Sequence, residues 1–167
     1  MEPRRASDSH SVLVHWMGVT DTNAAGYVHG GTVLKLADEA AGLAAMRHSR
    51  TRVVTAGVDR VTFLVPIEKG ELVTFSASVN AVWRTSMEVG VRVTAERPRE
   101  EGIRHTNTAY FTMVALDEDG KPCPVPPLLV ETPTEERRQR EAQTRRRNRL
   151  AEREEIVRER DAERPPT

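Results

Sequence analysis

From Glu71 to Glu96 the chain alternates between apolar and polar residues. Val73, Phe75, Ala77, Val79, Ala81 and Trp83 fall on one side of the first run. After Arg84-Thr85-Ser86 the pattern resumes, with Met87, Val89, Val91 and Val93 on one side and Glu88, Arg92 and Thr94 on the other. A period of two with a short break predicts two paired strands, each with one face in a core. Such a sheet needs a cover for its apolar face, and residues 30–48, GGTVLKLADEAAGLAAMRH, supply it. At 100° per residue, Val33, Leu34, Leu36, Ala37, Ala40, Ala41, Leu43, Ala44 and Ala45 share one broad arc, with Lys35 and Glu39 opposite. Alanine on so many of these positions predicts a helix that packs very close to its neighbour.

Three more stretches read as strands. Residues 11–19 alternate, 51–66 are rich in β-branched residues, and 103–117 end at the turn formers Asp117-Glu-Asp-Gly120. Residues 20–29 read as a loop. The order is strand, helix, then four strands with short connections, which gives an antiparallel sheet. The fold class expected is α+β, a curled sheet around one long central helix. One helix covers one face only, so the free face and edges predict self-association.

The chain divides by composition into a disordered N-terminus (1–10), a folded domain (11–130) and a charged tail (131–167). The tail mixes both signs, with i,i+4 pairs such as Glu136–Arg140, Glu141–Arg145 and Glu154–Arg158. Each pair supports a solvated helix by ~0.2–0.5 kcal/mol. Leu150, Ile156 and Val157 are too sparse for a coiled-coil seam. The reading is a projecting, partly disordered helix. Although 30% of the 167 residues are charged, 25 basic and 25 acidic side chains cancel, so no nucleic-acid partner is expected. No apolar run approaches ~18 residues, so neither a secretory leader nor a membrane span is expected. The single cysteine, Cys123, excludes an intrachain disulfide and fits a reducing, cytoplasmic setting.

Several residues in this framework can carry chemistry. Gly30 and Gly31 open the helix, where unpaired N–H groups and the dipole favour a developing negative charge. A tight loop-to-helix turn explains them equally well. Asp38 sits at the edge of the apolar arc, where partial desolvation suits a general base or a paired acid. Asn23, in the loop before the helix, can donate to a carbonyl, orient water or close an Asx turn. His29 adjoins the glycines and can either titrate or fill space. Arg84, Thr85 and Ser86 offer a cation and two hydroxyls to a phosphate, or form an ordinary hairpin corner. Asp59 can serve as a cross-strand partner for an arginine. No spacing suits a metal, and no nucleophile elbow, Walker A or dinucleotide fingerprint occurs.

Taken together, DTNAAGYVHGGTVLKLADEAAG, RVVTAGVDRVTFLVPIEKGELV and TSMEVGVRV resemble the hotdog-fold acyl-CoA thioesterases, specifically the cytosolic long-chain (brain-type) hydrolases and their small bacterial relatives. The resemblance covers about residues 11–130. It implies a double hotdog, often a trimer of dimers forming a hexamer, with active sites at the dimer interface. It implies Asn23 of one subunit and Asp38 of the other as the catalytic pair, with the Gly31 N–H stabilising the oxyanion. His29, Gly30, Gly57, Val58, Arg84, Thr85 and Ser86 would contact the coenzyme A ester. The substrate would be fatty acyl-CoA, with no metal or redox cofactor. Tandem members of the family divide the Asn and the acid between two modules, whereas this single module carries both. The rivals are a non-catalytic acyl-CoA-binding regulator on the same scaffold, a hotdog dehydratase with His29 as base, and a scaffolding role for the tail.

Overall fold

The computed structural model describes residues 1–162. Five strands form one antiparallel sheet: β2 (Ser11–Trp16), β3 (Arg52–Val58), β4 (Leu72–Val82), β5 (Ser86–Glu96) and β6 (Ile103–Leu116), in the order β2-β4-β5-β6-β3. The long helix α1 (Gly30–Ser49) lies in the concave face. Its alanine face is the reason it fits: Ala37, Ala40, Ala41, Ala44 and Ala45 are fully buried against Phe75, Val91 and Phe111 of the sheet. The arc is narrower than the sequence suggests, because Leu43 stays 44% exposed. The helix ends where Arg50 turns into the left-handed region, its N–H returning to the Met46 carbonyl.

Two expected boundaries shift for physical reasons. The strand predicted over 51–66 leaves the ladder at Val58, after a bulge between Thr55 and Gly57. Its remainder runs back over the start of α1 without ladder pairing. A second bulge, between Val79 and Ala81, breaks the alternation in β4. Trp83 therefore lies outside the core, beneath Arg146 at 4.4 Å.

Both ends of the chain differ from expectation. Residues 4–9 are ordered: β1 (Arg4–Arg5) pairs in parallel with β7 (Leu128–Leu129), and Ala6–Ser9 forms a 3-10 turn. Buried Ser9 accepts the Val79 N–H, and Arg4 donates to the His48 carbonyl. The tail does not project freely. Helix α2 (Pro133–Ala162) begins with a reciprocal cap, in which Thr132 Oγ1 accepts the Glu135 N–H and the Glu135 carboxylate accepts the Thr132 N–H. It then crosses the convex face of the sheet. Arg145 forks onto Glu88, which is fully buried, at 2.6 and 3.1 Å and stacks 3.6 Å from the Tyr110 ring. Arg149 grips Asp59. Asp59 thus has an arginine partner, from this helix rather than from a neighbouring strand. Residues 150–162 are exposed, and the last five residues of the expected tail, 163–167, lie outside the described residues.

Two buried titratable groups fix how the fold responds to acid. His48, at the end of α1, is fully buried with Nε2 on the Pro126 carbonyl and Nδ1 unpartnered. Burial holds its pKa below the ordinary 6.5. Glu71 is 1% exposed; burial alone would raise its pKa, but hydrogen bonds from Arg104, the Glu68 N–H and Arg97 bring it below 4.5. Both folded-state values are depressed, so both groups favour the fold at neutral pH and oppose it as protons are added. Stability should fall first as pH drops below 6.5, through His48, and again below 4.5, through Glu71. Urea melts across pH 4–8 test this: His48→Gln should flatten the upper step and leave the lower one.

Candidate active site

The loop before α1 is held by its own side chains. Asn23 closes a tight turn: its N–H donates to the Tyr27 carbonyl, its carbonyl accepts from Gly26, and Gly26 has a φ of 85°. Asn23 Oδ1 accepts the N–H groups of Ala25 at 2.9 Å and Tyr27 at 3.2 Å. That fixes the amide's orientation and leaves the Nδ2 hydrogens pointing away on an exposed residue. The Asx turn and a carbonyl-donating role are therefore compatible, not alternatives. Asp21 braces the same loop, accepting from the Gly18 N–H at 2.7 Å and contacting His15 at 3.1 Å. The Gly18 bond leads in holding its carboxyl below the usual range. The Asp21 carbonyl receives the His29 N–H.

His29 caps the helix by backbone alone, since its side chain makes no capping bond. Its carbonyl accepts the Val33 N–H. The N–H groups of Gly30, Gly31 and Thr32 precede any possible intrahelical acceptor and point out of the helix start. The two glycines differ. A methyl on Gly30 would meet the Phe63 ring at 3.2 Å, whereas one on Gly31 would meet nothing within 4 Å.

Asp38 lies seven residues beyond Gly31 on the same helix, ~10 Å along the axis. It is half-buried, and Thr55 of β3 donates its hydroxyl to Asp38 Oδ1 at 2.5 Å. Thr55 was not singled out in the sequence, because a threonine in a β-branched strand carries no signal of its own. The bulge that follows aims it: β3 shifts register just after Thr55, and Gly57 and Val58 continue along the exposed edge. No hydrogen bond joins Asn23 to Asp38 among the described residues.

Arg84, Thr85 and Ser86 form the β4–β5 corner. The Arg84 carbonyl accepts the Val125 N–H, one residue from the Pro126 carbonyl that holds His48 at the far end of α1. In one chain this corner therefore stands at the opposite end of a 20-residue helix, ~30 Å long, from Gly30 and Gly31. The residues expected to contact one ester form two groups, one at each end of the molecule.

An apolar band runs beside these groups. Val54 and Val58 on edge strand β3, Leu43 and Met46 on α1, and Phe63 and Leu64 after β3 are each more than 40% exposed. No cluster of three or more His, Cys, Asp or Glu suited to a metal occurs among the described residues, and no helix there is long and apolar enough to cross a membrane.

The model of the thioesterase superfamily matches residues 25–101, from two residues after Asn23 to the loop that follows β5. A crystal structure of an apo-hexameric acyl-CoA thioesterase superposes with a TM-score of 0.87 at 36% identity, covering 91% of this chain and 97% of that one. This chain belongs to the thioesterase superfamily. The superfamily's hotdog fold is the curled sheet and central helix described above. An acyl-CoA hydrolase from Staphylococcus aureus, solved with butyryl coenzyme A, coenzyme A and coenzyme A disulfide, is 32% identical with a TM-score of 0.87 and coverage of 95% and 97%. It has also been solved as three variants, each with an asparagine, an aspartate or a threonine replaced by alanine. The cytosolic acyl coenzyme A thioester hydrolase of Rattus norvegicus is 41% identical over 139 residues, 82% of this chain. The chain spans only 36% of that relative's length.

The contrast between the glycines gives a test. Gly31→Ala should melt at or above the wild-type temperature, since nothing in the chain opposes the methyl and alanine favours the helix. Gly30→Ala should melt below Gly31→Ala, because the Phe63 ring must move. Thermal melts of both variants check this.

Proposed function

We propose that this protein hydrolyses acyl-CoA thioesters to a free acid and coenzyme A, working as a dimer whose sites each draw on both subunits. One observation carries the reading: Thr55 fixes a half-buried carboxylate, Asp38, on the helix whose exposed start presents the Gly31 N–H. The alanine variants of the S. aureus enzyme support it. Their substituted asparagine, aspartate and threonine are spaced by 15 and 17 residues, the intervals that separate Asn23, Asp38 and Thr55.

Geometry supports two subunits per site. Asp38 is too far along α1 to serve the helix start of its own chain. Pairing two β3 edges about a two-fold axis sets the α1 helices antiparallel. That brings the Asn23 turn and Gly31 of one subunit toward Asp38 of the other, and the Arg84–Ser86 corner toward the partner's helix start. It also covers Val54 and Val58. The hexameric relatives suggest that such dimers assemble further, as a trimer of dimers.

The chemistry needs only protein groups. Asp38 takes a proton from water as its oxygen attacks the thioester carbonyl carbon. The Gly31 N–H stabilises the oxyanion of the tetrahedral intermediate, aided by the helix dipole. Asn23 Nδ2 donates to the carbonyl oxygen or orients the water. Collapse breaks the C–S bond, and Asp38 returns its proton to the departing thiolate. The substrate's coenzyme A arm would run along Gly57 and Val58 to His29, Gly30 and the Arg84-Thr85-Ser86 corner. An acyl-CoA substrate and a cytoplasmic site of action accord with the rat relative's name, and the reading extends this to fatty acyl esters.

Thiol release from a panel of short to long acyl-CoA esters tests the proposal. Asp38→Asn should lower kcat about a hundredfold or more, and Thr55→Val should lower it less while the fold survives. Undiminished hydrolysis by folded Asp38→Asn would sink the assignment. Binding of acyl-CoA by wild type without thiol release would favour the regulator.

A further inference from the structure

Helix α2 makes a line of contacts that ends beside the candidate site. One Arg149 nitrogen, Nη1, donates to both carboxylate oxygens of Asp59 at 2.8 Å and lies 3.9 Å from buried Glu88. Asp59 is the first residue beyond β3, and its N–H donates to the Tyr110 carbonyl at 2.9 Å. The Tyr110 ring carries the Arg145 guanidinium, which is itself held by buried Glu88. One point, where β3 leaves the sheet, is thus fixed by α2 and β6 together.

The two stretches flanking that point both reach the site. On one side lie the bulge and Thr55, whose hydroxyl holds Asp38. On the other side the chain runs to Phe63, whose ring occupies the space over Gly30. Up to Val58 the ladder with β6 secures this backbone. Beyond Asp59, Val61 packs partly buried against the core, residues 62–64 are exposed, and the Leu64 N–H bond to the Thr106 carbonyl is the next hydrogen bond into the sheet. With one partly buried aliphatic side chain between Asp59 and Phe63, its placement depends on polar anchors as well. The Asp59–Arg149 pair is well suited: one charged nitrogen meets both carboxylate oxygens, with side chains only 15% and 31% exposed.

We infer that Arg149 and Asp59 are positioning residues for the hydrolysis proposed above: α2 clamps the end of β3 so that Thr55 presents Asp38 correctly and Phe63 stays against the helix start. The inference rests on that functional reading. Neither residue touches the reacting atoms; both act through the backbone between Thr55 and Phe63. The charged tail is then part of the catalytic framework rather than an appendage.

Full-length variants test this through kcat, KM and amide hydrogen exchange over residues 55–64. Arg149→Ala should lower kcat about tenfold, since small misplacements of catalytic groups are costly, with KM within about twofold. Exchange in 55–64 should quicken while the melting temperature moves by only a few degrees. Arg149→Lys should recover part of kcat. Arg140→Ala removes an equal charge from an exposed site with only a 3.9 Å contact to Glu136, and should behave as wild type. Wild-type kcat in Arg149→Ala, an equal loss in Arg140→Ala, or a lowered kcat with unchanged exchange would each overturn the inference. If wild type proves unable to hydrolyse any ester, the functional reading fails by itself. Exchange over 55–64 then still decides whether the clamp exists, and unchanged protection in Arg149→Ala would dismiss it.

Discussion

The alanine face of α1 sets the rest of the molecule. Ala37, Ala40, Ala41, Ala44 and Ala45 leave no bulk between the helix backbone and the sheet, so the helix sinks into the concave face. Close packing of that kind holds a rod rigidly, because a dense interior does not slide by fractions of a turn. A rigid rod fixes where its start points and where each later residue emerges. Gly31 is delivered to one end of the sheet and Asp38 to its flank, and both placements follow from one buried stripe.

The convex face is solved by different physics. No apolar helix among the described residues covers it; α2 does so with Arg138, Ala142, Arg145 and Arg149, which recur at helical spacing and set three cations around one small apolar residue. Ala142 is fully buried, and the arginines meet Ser78, Glu88, Tyr110 and Asp59. Exposed pairs of this kind contribute ~0–1 kcal/mol, but leaving a buried carboxylate such as Glu88 without its partner costs about 3–5 kcal/mol. Attachment of α2 is therefore strongly specified at Glu88 and weakly held along the exposed 150–162.

Much of this was legible in the sequence where periodicity is strong. Alternation located β4, β5 and β6 to within a residue or two, and the alanine pattern located α1. Features decided by single contacts were not legible. The strand through Asp59 reads as continuous, yet a bulge and an ion pair end it at Val58. The first ten residues look polar and free, yet Ser9 and Arg4 find backbone partners. The tail has no apolar stripe, so a search for hydrophobic periodicity passes over it; its matching acid, Glu88, stood among the polar positions of β5 as an ordinary outward residue. Asn23, Gly31 and Asp38 stood out by residue type and place, whereas Thr55 needed the geometry to connect it to Asp38.

The separation of Asp38 from Gly31 along one helix reaches beyond a single site. In the symmetric pair proposed above, each subunit would lend its turn and helix start to one site and its acid to the other. A mixed dimer with one subunit lacking Asn23 and the other lacking Asp38 would gather both lesions into a single site and leave its twin whole. Two inactive proteins would complement each other on mixing. A chain fusing two such modules could let each drift toward losing a different half of the machinery, keeping one working site in place of two.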